Sequence, residues 1–257
     1  MTDPTASGRA LPGPLPAAAL PARIEAVFLD VGGVFILPNH QEMMAALAAA
    51  GFIIERGRLD EAHYRGIAAW DVAGTGPDVP GDMTGDRWAE YTRAYLRAAG
   101  VADADLPAAI VASEVAFRSP TLWSRRIEDS VAALPAVVAT GLPVVIVSNA
   151  DGRVEELLRE TGICQVGPGP LPSVAAVVDS TVVGIEKPHP GIFGIALEAV
   201  GVEPGQAVHV GDSDRADVAG ARAAGVHPVH FDPFGLCPTG DHAHVGSLAE
   251  LPGLIGR

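Results

Sequence analysis

The sequence predicts an α/β protein built on a doubly wound, mostly parallel sheet, and three observations predict it. A largely apolar run at 24–29 ends abruptly in Asp30-Val31-Gly32-Gly33. After residue 140, short runs rich in Val, Ile and Ala alternate with helix-like segments. Those helix-like segments stop at glycines. Apolar strands of this length suit a sheet covered on both faces, and strand–helix alternation makes such a sheet parallel.

The elements follow in order. Residues 24–29 form the first strand. Between 38 and 122 the pattern turns helical, with helices near 40–50, 58–70, 85–99 and 103–117 and Gly/Pro-rich breaks such as 74–81. No strand pattern stands out there. Beyond it come strands at 143–148, 174–179, 207–211 and 226–231. Helices at 152–161, 190–200 and 215–224 lie between them, stopped by Gly162, Gly201 and Gly225. Glycine takes the left-handed backbone that ends a helix without steric cost. The chain thus divides into a Pro/Ala/Gly-rich tail at 1–22, a core domain at 23–37 and 123–257, and a helical insert at 38–122. No internal repeat is present.

Composition narrows the function. The chain has 257 residues, 48% of them hydrophobic and 19% charged, which is enough for one large globular domain and a smaller insert. Seventeen basic against 31 acidic side chains give a net charge of −14. Such a surface repels nucleic acid and anionic membranes, so neither is an expected partner. Cys164 and Cys237 make no disulfide framework and are expected as reduced thiols. The N-terminus has no cationic segment followed by an apolar run, and no segment offers the ~18 apolar residues of a membrane span. The expectation is a soluble, cytoplasmic protein, monomer or homodimer.

Ligands of doubly wound sheets sit at the carboxyl ends of the strands, where strand order reverses. The informative residues are therefore Asp30, Ser148-Asn149 and Gly211-Asp212-Ser213, with Lys187 a short excursion after the third strand.

Taken together, Phe28-Leu29-Asp30-Val31-Gly32-Gly33-Val34, Val147-Ser148-Asn149, Glu186-Lys187-Pro188 and Val210-Gly211-Asp212-Ser213 with Asp217 resemble the four motifs of the haloacid dehalogenase (HAD) superfamily. The resemblance runs from about 24 to 232. It implies a Rossmann-like sheet of five strands in the order 3-2-1-4-5 with a small helical cap domain in the place of the insert. It also implies a Mg²⁺-dependent hydrolase, most simply a phosphatase of a small phosphorylated metabolite. Asp30 would be the nucleophile, because a carboxylate is ionised at neutral pH and can form an acyl phosphate that water later splits. Ser148 and Asn149 would bind phosphoryl oxygens. Lys187 would offset the charge of carboxylate and phosphate. Asp30, the Gly32 carbonyl, Asp212 and Asp217 would hold Mg²⁺, which favours a few hard oxygens. Asp217 would act from the inner or outer shell, and Asp214 is expected as a surface or outer-shell acid.

The sequence departs from the phosphatase pattern at Gly32. The resemblance puts a second aspartate there, which protonates the leaving oxygen and then activates water. Glycine lacks that group, although its carbonyl remains. General acid–base catalysis contributes about 10²–10⁴-fold, so substrates with good leaving groups should be favoured. His189 and Asp151 are replacements by sequence proximity alone. In the insert, His63, Tyr64, Trp70, Trp88 and Tyr91 could contact substrate, though aromatics of this kind chiefly fill a core of their own. Asp241-His242-Ala243-His244 is expected to be a solvated tail. Two other functions remain open: metal-independent dehalogenation of a 2-haloacid, which the retained acids disfavour because they would repel one another without a metal, and a catalytically weak protein that binds a metabolite or a partner.

Overall fold

The computed structural model describes residue 20, residues 23–73 and residues 85–257. The expected tail at 1–22 lies outside the described residues except for residue 20, as does the break expected at 74–81.

Six strands form the central sheet. In chain order they are β1 (Ala26–Leu29), β4 (Val144–Ser148), β7 (Ala176–Asp179), β8 (Ala207–Gly211), β9 (His227–Phe231) and β10 (Ala243–Val245). Their spatial order is β10-β9-β8-β1-β4-β7, and every pairing is parallel. The expected order of five strands is reproduced and a sixth is added at one edge. That sixth strand is the stretch expected as a solvated tail. It pairs with β9 through Ala243↔Val229, His244↔His230 and Val245↔Phe231. A three-residue strand with two polar or small positions carries too little apolar signal to be read from sequence. Two shorter strands, β5 (Gln165–Val166) and β6 (Ser173–Val174), pair with each other, and a single helical turn, α7 (Ser180–Val183), follows β7.

The central strands are buried on both faces, and their side chains alternate between two cores. Val27 and Leu29, Val144 and Ile146, and Val208 and Val210 face one hydrophobic cluster. Ala26 and Phe28, Val145 and Val147, and Ala207 face the other. The first face is covered by α5 (Glu128–Val138) and α6 (Val154–Glu160), and by α10 (Leu251–Leu254) near the C-terminus. The second is covered by α8 (Pro190–Val200) and α9 (Gly220–Ala223). Period-two alternation between two apolar layers is why these strands read as apolar runs.

Four helices form a separate hydrophobic cluster: α1 (His40–Ala49), α2 (Leu59–Val72), α3 (Asp86–Ala98) and α4 (Leu106–Phe117). Asn39 starts α1, its side chain accepting from the N–H groups of Gln41 at 2.9 Å and Glu42 at 3.4 Å. Helices α2 and α3 touch closely because α2 carries Gly66, where a Cβ would come within 2.7 Å of the Tyr91 ring. Trp70, Trp88, Tyr91, Tyr95 and Phe117 pack among themselves there, with Trp88 stacked on Tyr91 at 4.8 Å. The two segments joining the helical unit to the sheet pair as an antiparallel ribbon of β2 (Ile36–Pro38) and β3 (Trp123–Arg126). Trp-Ser-Arg-Arg has no strand periodicity, so nothing in the sequence marks this ribbon. Among the described residues no helix is long and apolar enough to cross a membrane.

Candidate active site

Asp30 follows β1 directly. Its N–H donates to the Val210 carbonyl at 2.9 Å, which fixes it at the carboxyl edge of the sheet between β4 and β8. The chain then turns back tightly: Phe35 and Ile36 both donate to the Val31 carbonyl, and Gly33 donates to that of Ile36. Gly33 must be glycine. Its φ is +66°, and a Cβ there would lie 1.8 Å from the Asp212 carboxylate.

Lys187 is buried and reaches Asp30 from the far side of β4. Asn149, just after β4, sets its backbone through two amide bonds: Nδ2 donates to the Lys187 carbonyl at 2.9 Å and Oδ1 accepts from its N–H at 2.8 Å. The Asn149 side chain is therefore committed to placing Lys187. The ammonium lies 2.8 Å from Asp30 Oδ1 and 2.6 Å from Asp217 Oδ1. The second contact is the better aligned hydrogen bond, and both are close ion pairs. Burial acts to lower the lysine pKa, but Asp217 and Asp30 outweigh it and push it up to about 12.

The helix expected at 215–224 begins differently. Residues Asp214–Ala219 wind as a π-helix before α9, with both Asp217 and Val218 donating to the Ser213 carbonyl. The wider turn brings the Asp217 carboxylate back onto its own loop, a device often found at functional sites. Oδ1 accepts from Lys187 and from His209 Nε2 at 2.7 Å, and Oδ2 accepts from the Ser213 N–H at 3.0 Å. Burial opposes ionisation, yet Lys187 and His209 hold Asp217 well below the usual carboxylate range. With its oxygens so engaged, Asp217 suits an outer position that anchors Lys187.

Asp212 and Asp30 behave oppositely. Burial, then repulsion from Asp217 and Asp30, pushes the Asp212 carboxyl well up. Burial also raises Asp30, against the pull of Lys187. The ligand oxygens of Asp30, Asp212 and Asp217 lie within 4.8 Å of one another. When ionised, three buried carboxylates facing one ammonium carry an excess of two negative charges, and the donors are all hard oxygens. A divalent ion of the Mg²⁺ type fits both the charge and the donor set.

Helix α2 supplies three groups from above. His63 Nε2 lies 3.1 Å from Asp212 Oδ2, and its Nδ1 lies 3.0 Å from the Tyr91 hydroxyl. Burial pushes His63 down to about 3, so the neutral ring donates to the carboxylate and accepts from Tyr91. Tyr64 donates to the Gly33 carbonyl at 2.6 Å. Asp71 accepts from the Ser213 hydroxyl at 2.5 Å and from the N–H groups of Asp214 at 2.8 Å and Arg215 at 3.2 Å. His63→Ala removes the donor that orients Asp212. We expect about a 10–100-fold higher metal requirement for turnover, read from activity against Mg²⁺ concentration.

The sequence-derived residues thus separate. Asp30, Lys187, Asp212 and Asp217 converge. Ser148 is buried at the end of the adjoining strand β4. Gly32 forms a lone bridge with Ile36. His63 and Tyr64 reach the site, whereas Trp70 packs on Trp88 inside the helical unit. His189 caps α8, its Nδ1 accepting from the Gly191 N–H, and Asp151 is an exposed acid that accepts from the Arg153 N–H. His209 and Asp71 were missed. A histidine inside a strand buried on both faces, and an acid one helical face along from His63 and Tyr64, were the available signals.

Residues 24–225 match the haloacid dehalogenase-like hydrolase family. Haloacid dehalogenase-like hydrolase domain-containing protein 3 of Bos taurus is 36% identical over 141 residues, 54% of this chain and 53% of that protein. Its Mus musculus counterpart is 31% identical over 193 residues, 74% and 73% of the two chains. A phosphoserine phosphatase of Thermus thermophilus is 41% identical over 115 residues, 43% of this chain and 43% of that one. The chain therefore spans about half the length of the cattle relative and less of the bacterial one. A crystal structure of a Bacillus subtilis HAD-hydrolase bound to magnesium shares the fold, with a TM-score of 0.59 at 17% identity, covering 91% of this chain and all of that one.

Proposed function

Because the chain belongs to the haloacid dehalogenase-like hydrolase family, we propose that it is a Mg²⁺-dependent phosphohydrolase that acts on a small phosphorylated metabolite through an aspartyl-phosphate on Asp30. The observation that carries this reading is the Lys187 ammonium bridging Asp30 and Asp217 beside a third carboxylate. Within that arrangement Lys187 pulls Asp30 toward the ionised form that a nucleophile needs, against burial and the Asp217 charge, which keep its pKa raised until a cation joins them.

Asp30 and Asp212, with the Gly32 carbonyl, would hold the metal directly, and Asp217 from outside. The metal would supply charge neutralisation at the phosphoryl oxygens. Asp30 attacks phosphorus, the bond to the leaving oxygen breaks, and that oxygen takes a proton from solvent, since Gly32 offers none. Water then attacks the same phosphorus and frees phosphate and Asp30. Lys187 offsets the charge of nucleophile and phosphoryl group, and Ser148 lies at the next strand end to bind a phosphoryl oxygen. The four-helix unit acts as a cap, with His63, Tyr64 and Asp71 joining it to the catalytic loops. A cavity of about 140 Å³ lies under α2, lined by Tyr64, Asp71, Asp212 and Phe231. Asp30, Ser148 and Lys187 do not line it, so this cavity lies beside the nucleophile and runs toward the loop that follows Phe231. Related proteins include phosphatases of phosphoserine and of N-acylneuraminate 9-phosphate by name, which supports a phosphoester substrate over a haloacid.

The test is phosphate release from an aryl phosphate and a panel of sugar phosphates, with Mg²⁺ and with chelator. Metal-dependent release supports the reading. Chelator-insensitive halide release from 2-chloropropionate would replace it with dehalogenation.

The missing acid gives a second expectation. A Cβ at Gly32 would meet nothing within 4 Å, so Gly32→Asp is sterically free. It should raise turnover on poor leaving groups by about 10²-fold or more and change aryl phosphate turnover little. Lower turnover across the panel would show that Gly32 does not stand in place of a missing acid.

A further inference from the structure

We propose that His230, Cys237, His242 and His244 form a structural Zn²⁺ site, separate from the carboxylate cluster. One ligand atom from each of the four lies within 4.8 Å of the others. The fold brings them together for identifiable reasons. His244 sits directly opposite His230 in the β9–β10 register, and His242 is two residues earlier, on the same face of the strand. The ring centroids are 4.4 Å apart for His242 and His244 and 5.3 Å for His230 and His242. Cys237 comes from the loop between the strands. Asp232 shapes that loop by accepting from the N–H groups of Leu236 at 2.8 Å and Cys237 at 3.0 Å.

The distances suit a tetrahedral ion. Zinc bonds of about 2.0–2.1 Å to nitrogen and 2.3 Å to sulfur place neighbouring nitrogens about 3.3 Å apart and nitrogen about 3.6 Å from sulfur. His230 Nδ1 lies 3.2 Å from His242 Nε2, and Cys237 Sγ lies 3.7 Å from the same nitrogen.

The polarity of the hydrogen bonds points the same way. His230 Nε2 faces the Asp212 carbonyl at 3.0 Å, which can only accept. His242 Nδ1 faces an Asp241 carboxylate oxygen at 2.7 Å, also an acceptor. Each neutral ring therefore carries its proton on the outer nitrogen. The inner nitrogens turn two lone pairs toward each other, a repulsive arrangement that a shared cation resolves. Outer partners of this kind orient zinc-binding imidazoles. His244 Nε2 is buried without any hydrogen-bond partner. Binding would release the Cys237 thiol proton to solvent and leave a thiolate, which the Thr239 hydroxyl at 3.3 Å can solvate. The ion would tie the loop after β9 to β10 and, through His230, steady the backbone of Asp212.

The test uses the full chain, stripped with chelator and titrated with Zn²⁺ or Co²⁺. With Mg²⁺ in excess to occupy the carboxylate cluster, one equivalent should bind, and the Co²⁺ form should show a sulfur-to-metal charge-transfer band that disappears in Cys237→Ser. His242→Ala should weaken Zn²⁺ binding at least ~10-fold, whereas Asp30→Asn should leave it unchanged. In the unaltered protein, Zn²⁺ should protect Cys237 from alkylation at least ~10-fold. The other thiol, Cys164, is buried and pushed up to about 12, so it serves as an unreactive control. Absence of a stoichiometric ion, a Co²⁺ spectrum without the sulfur band, or undiminished alkylation of Cys237 under Zn²⁺ would overturn the proposal.

Discussion

Asp30→Asn is expected to lower phosphate release by at least about 10⁴-fold, as removal of a nucleophile does elsewhere, while leaving the metal-free protein no less stable than its parent. The two effects have different causes, the first chemical and the second electrostatic. Asparagine matches aspartate in shape but cannot form the acyl phosphate. The native carboxylate is buried close to Asp217, and its pKa is raised. The sign of the linkage follows. Stability associated with Asp30 is fully present below the ordinary carboxyl pKa and is lost as pH rises through the higher folded value. In chelator, the parent should therefore gain stability as pH falls from neutral toward that of a free carboxyl group, and Asp30→Asn should gain less. Thermal unfolding of both proteins across this range checks the point. A variant clearly less stable than its parent at neutral pH would show instead that contacts to Asp30 fully offset the cost of burying its charge.

Lys187→Met should fail in the opposite way. The ammonium is the cation common to Asp30 and Asp217, and methionine preserves most of its length. Breaking a buried ion network by removing one partner costs about 3–5 kcal/mol, because the remaining charges stay buried. An exposed lysine would cost ~0.5 kcal/mol or less. Denaturant unfolding in chelator should show the larger loss. Mg²⁺ should recover part of it, since it neutralises the same carboxylates, and so should a second change, Asp217→Asn. Activity should also fall, by about 10²–10³-fold, as for loss of one charge-stabilising donor. A Lys187→Met protein as stable as its parent in chelator would mean that the cluster is not held together by this charge.

The fold was legible because it rests on long, repeated signals. Strands at 24–29, 143–148 and 207–211 are apolar on both faces, and the helices between them end at glycines, so the parallel order could be written down from sequence. What escaped was short or non-local. Strand β10 has three residues and one strongly apolar side chain, so its pairing with β9 could not be foreseen. The same brevity hid the histidine cluster: His242 and His244 look like tail residues because their partner, His230, is supplied by another strand. In the site, Asp30, Lys187, Asp212 and Asp217 were legible because each follows a strand end by a few residues. Their division of labour was not. That Asn149 clamps Lys187, that His209 binds Asp217, and that a π-helix carries Asp217 are facts of local geometry. The helical unit's aromatics divide as packing would have them. Trp70 and Trp88, half-buried, pack against each other on its hydrophobic cluster, and His63 and Tyr64, on the face turned toward the sheet, meet Asp212 and Gly33.

The proposed chemistry stands or falls on Asp30 carrying the phosphoryl group. This is probed most directly by quenching the enzyme during turnover of an aryl phosphate, reducing it with borohydride, and sequencing its peptides by mass spectrometry. An acyl phosphate is reduced to the primary alcohol, which converts aspartate to homoserine. Homoserine is expected at position 30 when substrate and Mg²⁺ are both present, and none with chelator. Steady phosphate release with position 30 unmodified, or with the modification at another residue, would rule out Asp30 as the nucleophile.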